Sequence, residues 1–212
     1  YLQHTGNTIP AAPVAELGLK PDVGMQVAPK TVTFQVIAAT AQFSRQLLDD
    51  FSDFSGFVPS ELTRAVIDAE TDQIVNGDGT SPQLLGLLHT SGVLTRSVGS
   101  DTDIDAIVSS FNDIRVGSSY GTADLVVMHP STWNSIRLEK DSQNRYLLAQ
   151  DTPNAIGSVH DIFGVRVLTN TKVPAGTAIS IDTSKAVIGW TRQGMEVAVD
   201  QYGTANFNYN AI

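Results

Sequence analysis

The sequence predicts an α+β fold, in which helices pack on a mixed β-sheet. Three observations lead to this prediction. Between Phe54 and Ile74, apolar residues recur at three- and four-residue steps, as on one face of an α-helix. Beyond Gly86, helical and extended patterns alternate. The stretch 164–200 then holds four short apolar runs separated by turn residues, which is typical of strands.

The composition is that of a folded domain and argues against several other classes of protein. The chain has 212 residues, of which 42% are hydrophobic and 17% charged, so it is long and apolar enough to bury a core. It carries 13 Lys and Arg against 22 Asp and Glu, a net charge of -9, whereas free nucleic-acid-binding domains are usually basic. Without cysteine, disulfides, thiol nucleophiles and cysteine metal sites are excluded. No apolar run approaches the ~20 residues of a membrane-spanning helix, and no signal peptide is present.

Both ends of the sequence indicate a longer natural chain. Position 1 is tyrosine, not methionine, which indicates a processed, truncated or partly represented chain. At the other end, Phe207, Tyr209 and Ala211 alternate with asparagines in a strand pattern that stops without a turn signal. We therefore expect further residues beyond Ile212.

The first forty residues predict a long hairpin. Val14–Glu16 and the segment 30–41 are predicted to be extended stretches around a turn at 19–24, with a strand at 31–38, and a flexible terminus is the alternative. These residues include too few large apolar side chains to form a core of their own, so the hairpin should need a partner surface.

Two helices should follow the hairpin. A short one is expected at 43–50, and a long one carries an apolar stripe made of Phe54, Val58, Leu62, Ala65, Val66, Ala69 and Ile74. On its polar face, Arg64 and Asp68 have the spacing of an i,i+4 ion pair. Pro59 fits only in the first turn or at a bend, and Gly77 is a natural C-terminal cap.

The remainder predicts helices alternating with strands. A helix over 103–117 should begin at a capping Asp103 and bury the stripe Ile104, Ile107, Val108, Phe111 and Ile114. The run 124–129 reads as a strand buried on both faces, and Pro130 and Ser131 signal a helix start. After a surface loop at 142–163, strands are predicted at 164–169, 177–182, 185–190 and 195–200.

The loop NGDGTSPQLLG (76–86) lacks the features of phosphate-binding and calcium-binding loops. No lysine follows Gly77 or Gly79 as a phosphate-binding P-loop requires, and the glycines close a helix instead of opening one. The twelfth position of a calcium loop counted from Asn76 would be Leu87, not the required glutamate. The loop is therefore predicted to connect two structural parts and to bind no ligand.

The sequence contains no convincing catalytic or metal set. The histidines His4, His89, His129 and His160 lack metal-ligand spacing. His129, Ser131 and Asp124 suggest a hydrolytic set, but no nucleophile-elbow motif is present and an odd spacing puts Asp124 and His129 on opposite strand faces. Asp101, Asp103 and Asp105 suit a helix start. We expect no catalytic residue, cofactor or metal.

Five stretches, in order, resemble the major capsid proteins of tailed phages with the Hong Kong 97 fold. They are PVAELGLKPD (13–22), FSRQLLDD (43–50), IVNGDGTSPQLLGLL (74–88), VVMHPSTWNSIRLEKDSQNRYLL (126–148) and GVRVLTNTKVPAGTAISID (164–182). Together they extend over nearly the whole chain. The resemblance implies an extended hairpin called the E-loop, a peripheral domain with a long spine helix, and an axial domain with a mixed sheet and flanking helices.

The resemblance also assigns domains and contacts. It implies an E-loop over 1–41, a peripheral domain over 42–85, an axial domain over 86–195 and a return strand over 196–212. The implied contact and junction residues are Glu16, Leu19 and Pro21 in the E-loop, Leu62, Val66 and Ala69 on the spine helix, and Gly77 and Gly79 at the domain junction.

The resemblance implies that the protein forms a shell. Such a protein assembles as hexamers and pentamers around double-stranded DNA without sequence-specific contacts, in the virion and, during assembly, the host cytoplasm. Portal, scaffold, protease and decoration proteins are the implied partners, and no membrane is involved. The alternatives are an encapsulin-type nanocompartment shell and, more distantly, a small α/β hydrolase.

Some relatives crosslink neighbouring subunits through a lysine and an asparagine, and the resemblance puts Lys20 and Asn210 at those positions. The alternative is an intersubunit salt bridge for Lys20 and an ordinary strand-edge role for Asn210. Mass spectrometry of digested mature shells distinguishes the two, since only the first yields a joined Lys20–Asn210 peptide.

Overall fold

The computed structural model describes residues 1–7, 11–22, 24–44, 54–117, 120–148 and 161–199. Contacts divide the chain into two compact units, Tyr1–Gln35 and Val36–Ile212. The elements are β1 (Leu2–Asn7), β2 (Met25–Pro29), α1 (Phe54–Asn76), a 3-10 turn (Leu87–His89), α2 (Asp103–Val116), β3 (Leu125–Met128), α3 (Pro130–Arg137), β4 (Asp161–Ile162), β5 (Val165–Thr169), β6 (Ala178–Ile181) and α4 (Thr183–Ala186).

The first unit is a two-stranded antiparallel hairpin, but its strands differ from those predicted. β1 pairs with β2, with Leu2 opposite Pro29, and reciprocal bonds between Tyr1 and Lys30 of 2.8 and 2.9 Å end the ladder. Residues 31–38 form no strand. Val14–Glu16 leads into a turn instead of a strand.

The long helix is confirmed as α1, with 23 residues spanning about 34 Å. Its predicted stripe is largely uncovered: Leu62 and Val66 are half-buried, Ala69 is exposed, and only Val75 is buried. Most of the expected helix at 43–50 lies outside the described residues.

One local expectation on α1 is wrong, since Arg64 donates to Glu61 at 2.6 Å, one turn back at i,i+3, and not to Asp68. Pro59 lies in the second turn, so the first-turn placement is excluded and a bend at Pro59 stays a prediction. The helix nevertheless continues through it, and the Ser60 hydroxyl donates to the Phe57 carbonyl at 2.7 Å.

The second unit contains the predicted mixed sheet, in the order β4-β5-β3-β6. β3 pairs in parallel with β5 and antiparallel with β6, while β4 and β5 form an antiparallel hairpin. Val126 and Met128 on β3 are fully buried, whereas Leu125 and Val127 are half-buried. Only one face of β3 is therefore completely covered, and the expectation of two buried faces is wrong.

The main hydrophobic core lies between this covered face and helices α2 and α3. Its members are Ile104, Ile107, Val126, Met128, Trp133, Ile136, Ile162 and Val167. Burial of these side chains is the main favourable contribution to the stability of the unit. On α2, Val108 faces solvent while Phe111 and Ile114 are half-buried. The predicted stripe therefore lies on the correct face of the helix, but it includes one residue too many, Val108.

The helix starts are set by side-chain caps. Thr102, and not the predicted Asp103, caps α2 by accepting the Asp105 N–H at 3.2 Å. His129 caps α3 in the same way through Nδ1, and Pro130 occupies the first turn as predicted. Asp103 and Asp105 lie in the first turn of α2, where their charges favour the helix dipole.

The strands predicted at 185–190 and 195–200 do not form over 185–199. Asp182 accepts the Ser184 N–H at 3.1 Å and caps α4, which ends the extended chain after β6. The apolar residues that follow are exposed and lie outside the strands of the described part of the chain: Val187, Ile188, Trp190, Met195, Val197 and Val199. Alternating apolar residues form a strand only where a second strand supplies hydrogen bonds.

Candidate assembly surfaces

The hairpin loop presents apolar side chains to solvent. Residues 15–18 form a tight turn in which the Gly18 N–H donates to the Ala15 carbonyl at 2.9 Å, and Leu17 has a left-handed φ of 63°. Leu17 is fully exposed and Leu19 is 97% exposed. Two uncovered leucines on one loop are unusual for a monomeric domain and indicate a contact surface.

The other predicted hairpin residues lie on the same loop. Glu16 and Lys20 are exposed and Pro21 is half-buried. Lys20 makes no ion pair with any described residue, so its amine faces solvent in this chain. Asn210 lies outside the described residues, and the distance between the two groups is not defined.

The junction after α1 is a tight turn closed by backbone bonds. Gly77 donates to the Gln73 carbonyl at 3.1 Å and accepts from Gly86 at 2.8 Å, while Gly79 donates to Leu84 at 3.0 Å. Gly79 has a left-handed φ of 78°. A Cβ at Gly77 would lie 2.2 Å from the Leu84 carbonyl oxygen, so only glycine fits.

Two junction residues were missed by sequence reasoning. The Asn76 amide donates to Asp72 at 2.7 Å and to the Lys172 carbonyl at 2.8 Å, which ties the end of α1 to the loop after β5. The Gln73 side chain accepts the Leu84 N–H at 3.0 Å. Both are ordinary polar residues near a helix end, and nothing local in the sequence marks their distant partners. Asp78 accepts from the Thr80 N–H at 2.8 Å, a turn-forming bond and not part of a ligand site.

The proposed hydrolytic set is not assembled. His129 Nδ1 lies 2.6 Å from the Ser131 hydroxyl and accepts the Ser131 N–H, so this pair serves as the cap of α3. Asp124 is at the other end of β3, about 16 Å away along an extended strand. Its carboxylate accepts the Thr183 N–H at 2.9 Å. Within the described ranges no three His, Asp or Glu side chains are placed to hold a metal ion.

The carboxylates of Asp124 and Asp182 accept hydrogen bonds at the end of the sheet where β3 begins and β6 ends. Hydrogen bonds from the Ser184 hydroxyl and the Thr122 N–H lower the pKa of Asp182, and those from Thr183 lower the pKa of Asp124. Glu139 behaves oppositely: burial, followed by the neighbouring Asp103 charge, raises its pKa, and its Oε2 atom is buried without a described partner.

We expect Asp182→Asn to reduce the loss of stability in acid. Because the folded pKa of Asp182 is lowered, its contribution is present above the unfolded pKa of about 3.9 and is lost as the pH falls through the folded value. Thermal unfolding from pH 7 to pH 3 should therefore show a midpoint gap between wild type and variant that is constant near neutral pH and begins to narrow below about pH 4. Glu70→Gln, on the exposed surface of α1, is the control, and a gap that stays constant with pH would contradict the prediction.

Comparison with known proteins decides the family. A sequence model of the phage capsid family matches residues 1–212. The chain belongs to the phage capsid family. The major capsid protein of Enterobacteria phage HK97 is 28% identical to it over 212 residues, which are all of this chain and 54% of that protein. The chain thus spans about half the length of this curated relative.

Solved structures of phage-capsid type share the fold. The capsid of a native GTA particle matches with a TM-score of 0.64 and 21% identity, covering 82% of this chain and 63% of that chain. A structure from Gordonia phage Cozz matches with a TM-score of 0.58 and 18% identity, over 100% of this chain and 72% of the other. At these identities the likeness concerns the fold alone. Of the helices described, none is both long enough and apolar enough to cross a bilayer.

Proposed function

We propose that this chain is part of a tailed-phage major capsid protein with the Hong Kong 97 fold. It self-assembles through hexamers and pentamers into an icosahedral shell around double-stranded DNA. The match of the phage capsid family to residues 1–212 carries the proposal. In this proposal residues 1–41 are the E-loop, 42–85 the peripheral domain, 86–195 the axial domain and 196–212 the strand returning to the peripheral domain.

Exposed apolar surface supports the assembly step. An isolated two-stranded hairpin is marginally stable in water, and the loop between β1 and β2 exposes Leu17 and Leu19. Along α1, Phe57, Ile67 and Ile74 are also exposed. Burying such surface between subunits supplies a driving force that the single chain does not use. Glu16, Pro21, Leu62, Val66 and Ala69 belong to these same two surfaces in the proposal.

Charge supports the proposed relation to the cargo. A chain with net charge -9 has little overall electrostatic attraction to the DNA backbone, which supports a shell wall that encloses the packaged genome without binding it tightly. Portal, scaffold, protease and decoration proteins are the proposed partners. The proposed locations are the virion and, during assembly, the host cytoplasm.

Lys20 is proposed to form an intersubunit salt bridge and Asn210 to be an ordinary strand-edge residue, with a covalent link between the two as the alternative. The exposure of Lys20 on the hairpin loop supports either contact. In the crosslink, the uncharged amine nitrogen attacks the asparagine side-chain carbonyl, forms an isopeptide bond and releases ammonia. Mass spectrometry of digested shells distinguishes the two, because only the crosslink gives a joined peptide.

Negative-stain electron microscopy of the complete expressed chain, beside its size-exclusion profile, tests the function. Closed shells, or free hexamer and pentamer rings, are the expected result. A chain that stays monomeric with its protease and scaffold supplied would overturn the proposal.

A further inference from the structure

Two exposed aromatic residues have unfavourable backbone conformations. Phe163 has φ 48° and Tyr120 has φ 46°, both in the left-handed region, and each side chain is 76% exposed. This region is unfavourable for residues other than glycine. Neither ring regains that cost by burial within the described chain.

At Phe163 the turn favours a different residue. Ile162 pairs with Val165, so Phe163 and Gly164 are the two central residues of the β4–β5 hairpin, with φ values of 48° and 82°. Two-residue turns with positive φ at both positions prefer Asn-Gly, because asparagine tolerates this conformation well. The sequence thus has an aromatic ring where asparagine would give a more stable turn.

Tyr120 is held by bonds to its backbone. Its N–H donates to the Gly117 carbonyl at 3.0 Å, and its carbonyl accepts from the Lys185 amine at 3.0 Å. The next residue, Gly121, is buried, and a Cβ there would lie 2.9 Å from an Ile114 methyl group. These contacts fix the backbone and leave the ring facing solvent.

Strand pairing places both rings at one end of the sheet. Leu125, the first residue of β3, is opposite Arg166 near the start of β5 and opposite Ile181 at the finish of β6. The Phe163 turn enters β5 at this end. Tyr120 belongs to the segment entering β3, which is tied to Asp182 after β6 by the Thr122 N–H at 2.8 Å. We call this region, with its two rings, the aromatic end.

The charges at the aromatic end are balanced. The whole chain has net charge -9, so two copies repel each other on average. Close to the two rings, however, three basic and three acidic residues occur together: Arg115, Arg166, Lys185, Asp124, Asp161 and Asp182. A surface of this kind is approached by another copy of itself without net repulsion.

We infer that the aromatic end is a contact surface for a second copy of this chain, which buries the rings of Phe163 and Tyr120. The inference rests on the proposed shell function and adds a surface in the second unit to the hairpin and α1. Aromatic side chains at the centre of an interface contribute strongly to binding, which gives a reason for keeping them at a conformational cost. Burial in the contact offsets the turn strain that the free chain carries.

Phe163→Asn tests the inference. In the unassembled chain we expect an unfolding midpoint equal to or above that of wild type, because asparagine suits the turn. The concentration needed for shells should rise about tenfold, the factor that corresponds to a loss of about 1.4 kcal/mol per contact. Phe163→Tyr keeps a ring and should assemble as wild type does. Tyr120→Asn provides a second, independent variant with the same expected direction.

Electron microscopy and analytical ultracentrifugation of each variant separate the outcomes. The inference is supported if wild type forms shells and both Phe163→Asn and Tyr120→Asn need a higher protein concentration to form them. If wild type forms shells and both variants form them at the same concentration, the inference is overturned and the shell function still stands. A wild-type chain that forms neither shells nor any smaller self-association overturns both, because no second copy then binds.

Discussion

Replacing Gly86 by alanine is expected to lower the free energy of unfolding by about 3 kcal/mol, the upper range for overpacking. Gly86 is buried, and a Cβ there would lie 2.6 Å from the Gly77 nitrogen and 2.7 Å from the Val75 carbonyl oxygen. All of these contacts are with backbone atoms, so no side-chain rotation relieves them. The Gly86–Gly77 bond of 2.8 Å must open, and with it the joint at the end of α1.

Urea and thermal unfolding measure this loss. Gly189→Ala is the matched control, because a Cβ at Gly189 meets nothing within 4 Å and its backbone is not in the left-handed region. Equal unfolding midpoints for Gly86→Ala and Gly189→Ala would contradict the predicted clash at Gly86.

Leu19→Asp is expected to abolish assembly without unfolding the chain. Leu19 is 97% exposed, so the free chain should keep its unfolding midpoint. In the proposed shell this side chain is buried against a neighbouring subunit, where losing a leucine contact and burying a carboxylate together cost about 3 kcal/mol or more. That corresponds to an assembly threshold raised at least ~100-fold.

Light scattering against protein concentration and electron microscopy follow the assembly of this variant. Leu19→Met, which keeps an apolar side chain of similar volume, is the control and should assemble as wild type does. Normal shells from Leu19→Asp at the wild-type concentration would remove Leu19 from the assembly surface.

Elements encoded by local patterns were predicted correctly. The stripe from Phe54 to Ile74 predicts α1, the apolar run at 125–128 predicts β3, and Pro130 marks the first turn of α3. Gly77 follows the last residue of α1, as its residue type indicates. These signals depend on neighbours within one or two turns, so the sequence alone contains them.

Long-range partners were not predictable in the same way. The pairing of Leu2 with Pro29, in place of a strand at 31–38, depends on which residues are available opposite each other. The bond from Asn76 to Lys172 joins residues 96 positions apart. The assembly residues Glu16, Leu19, Lys20 and Pro21 were chosen by resemblance, and one chain alone does not contain the surfaces they are proposed to meet.

The order of strands in the sheet has a consequence for synthesis. β3, a central strand, leaves the ribosome before either of its neighbours, β5 and β6. Its parallel pairing with β5 must wait for the intervening residues 129–164, and its other edge stays open until Ile181 has emerged. A nascent chain therefore carries an unpaired apolar strand while residues 129–181 are translated, a period in which such an edge can pair with the wrong partner.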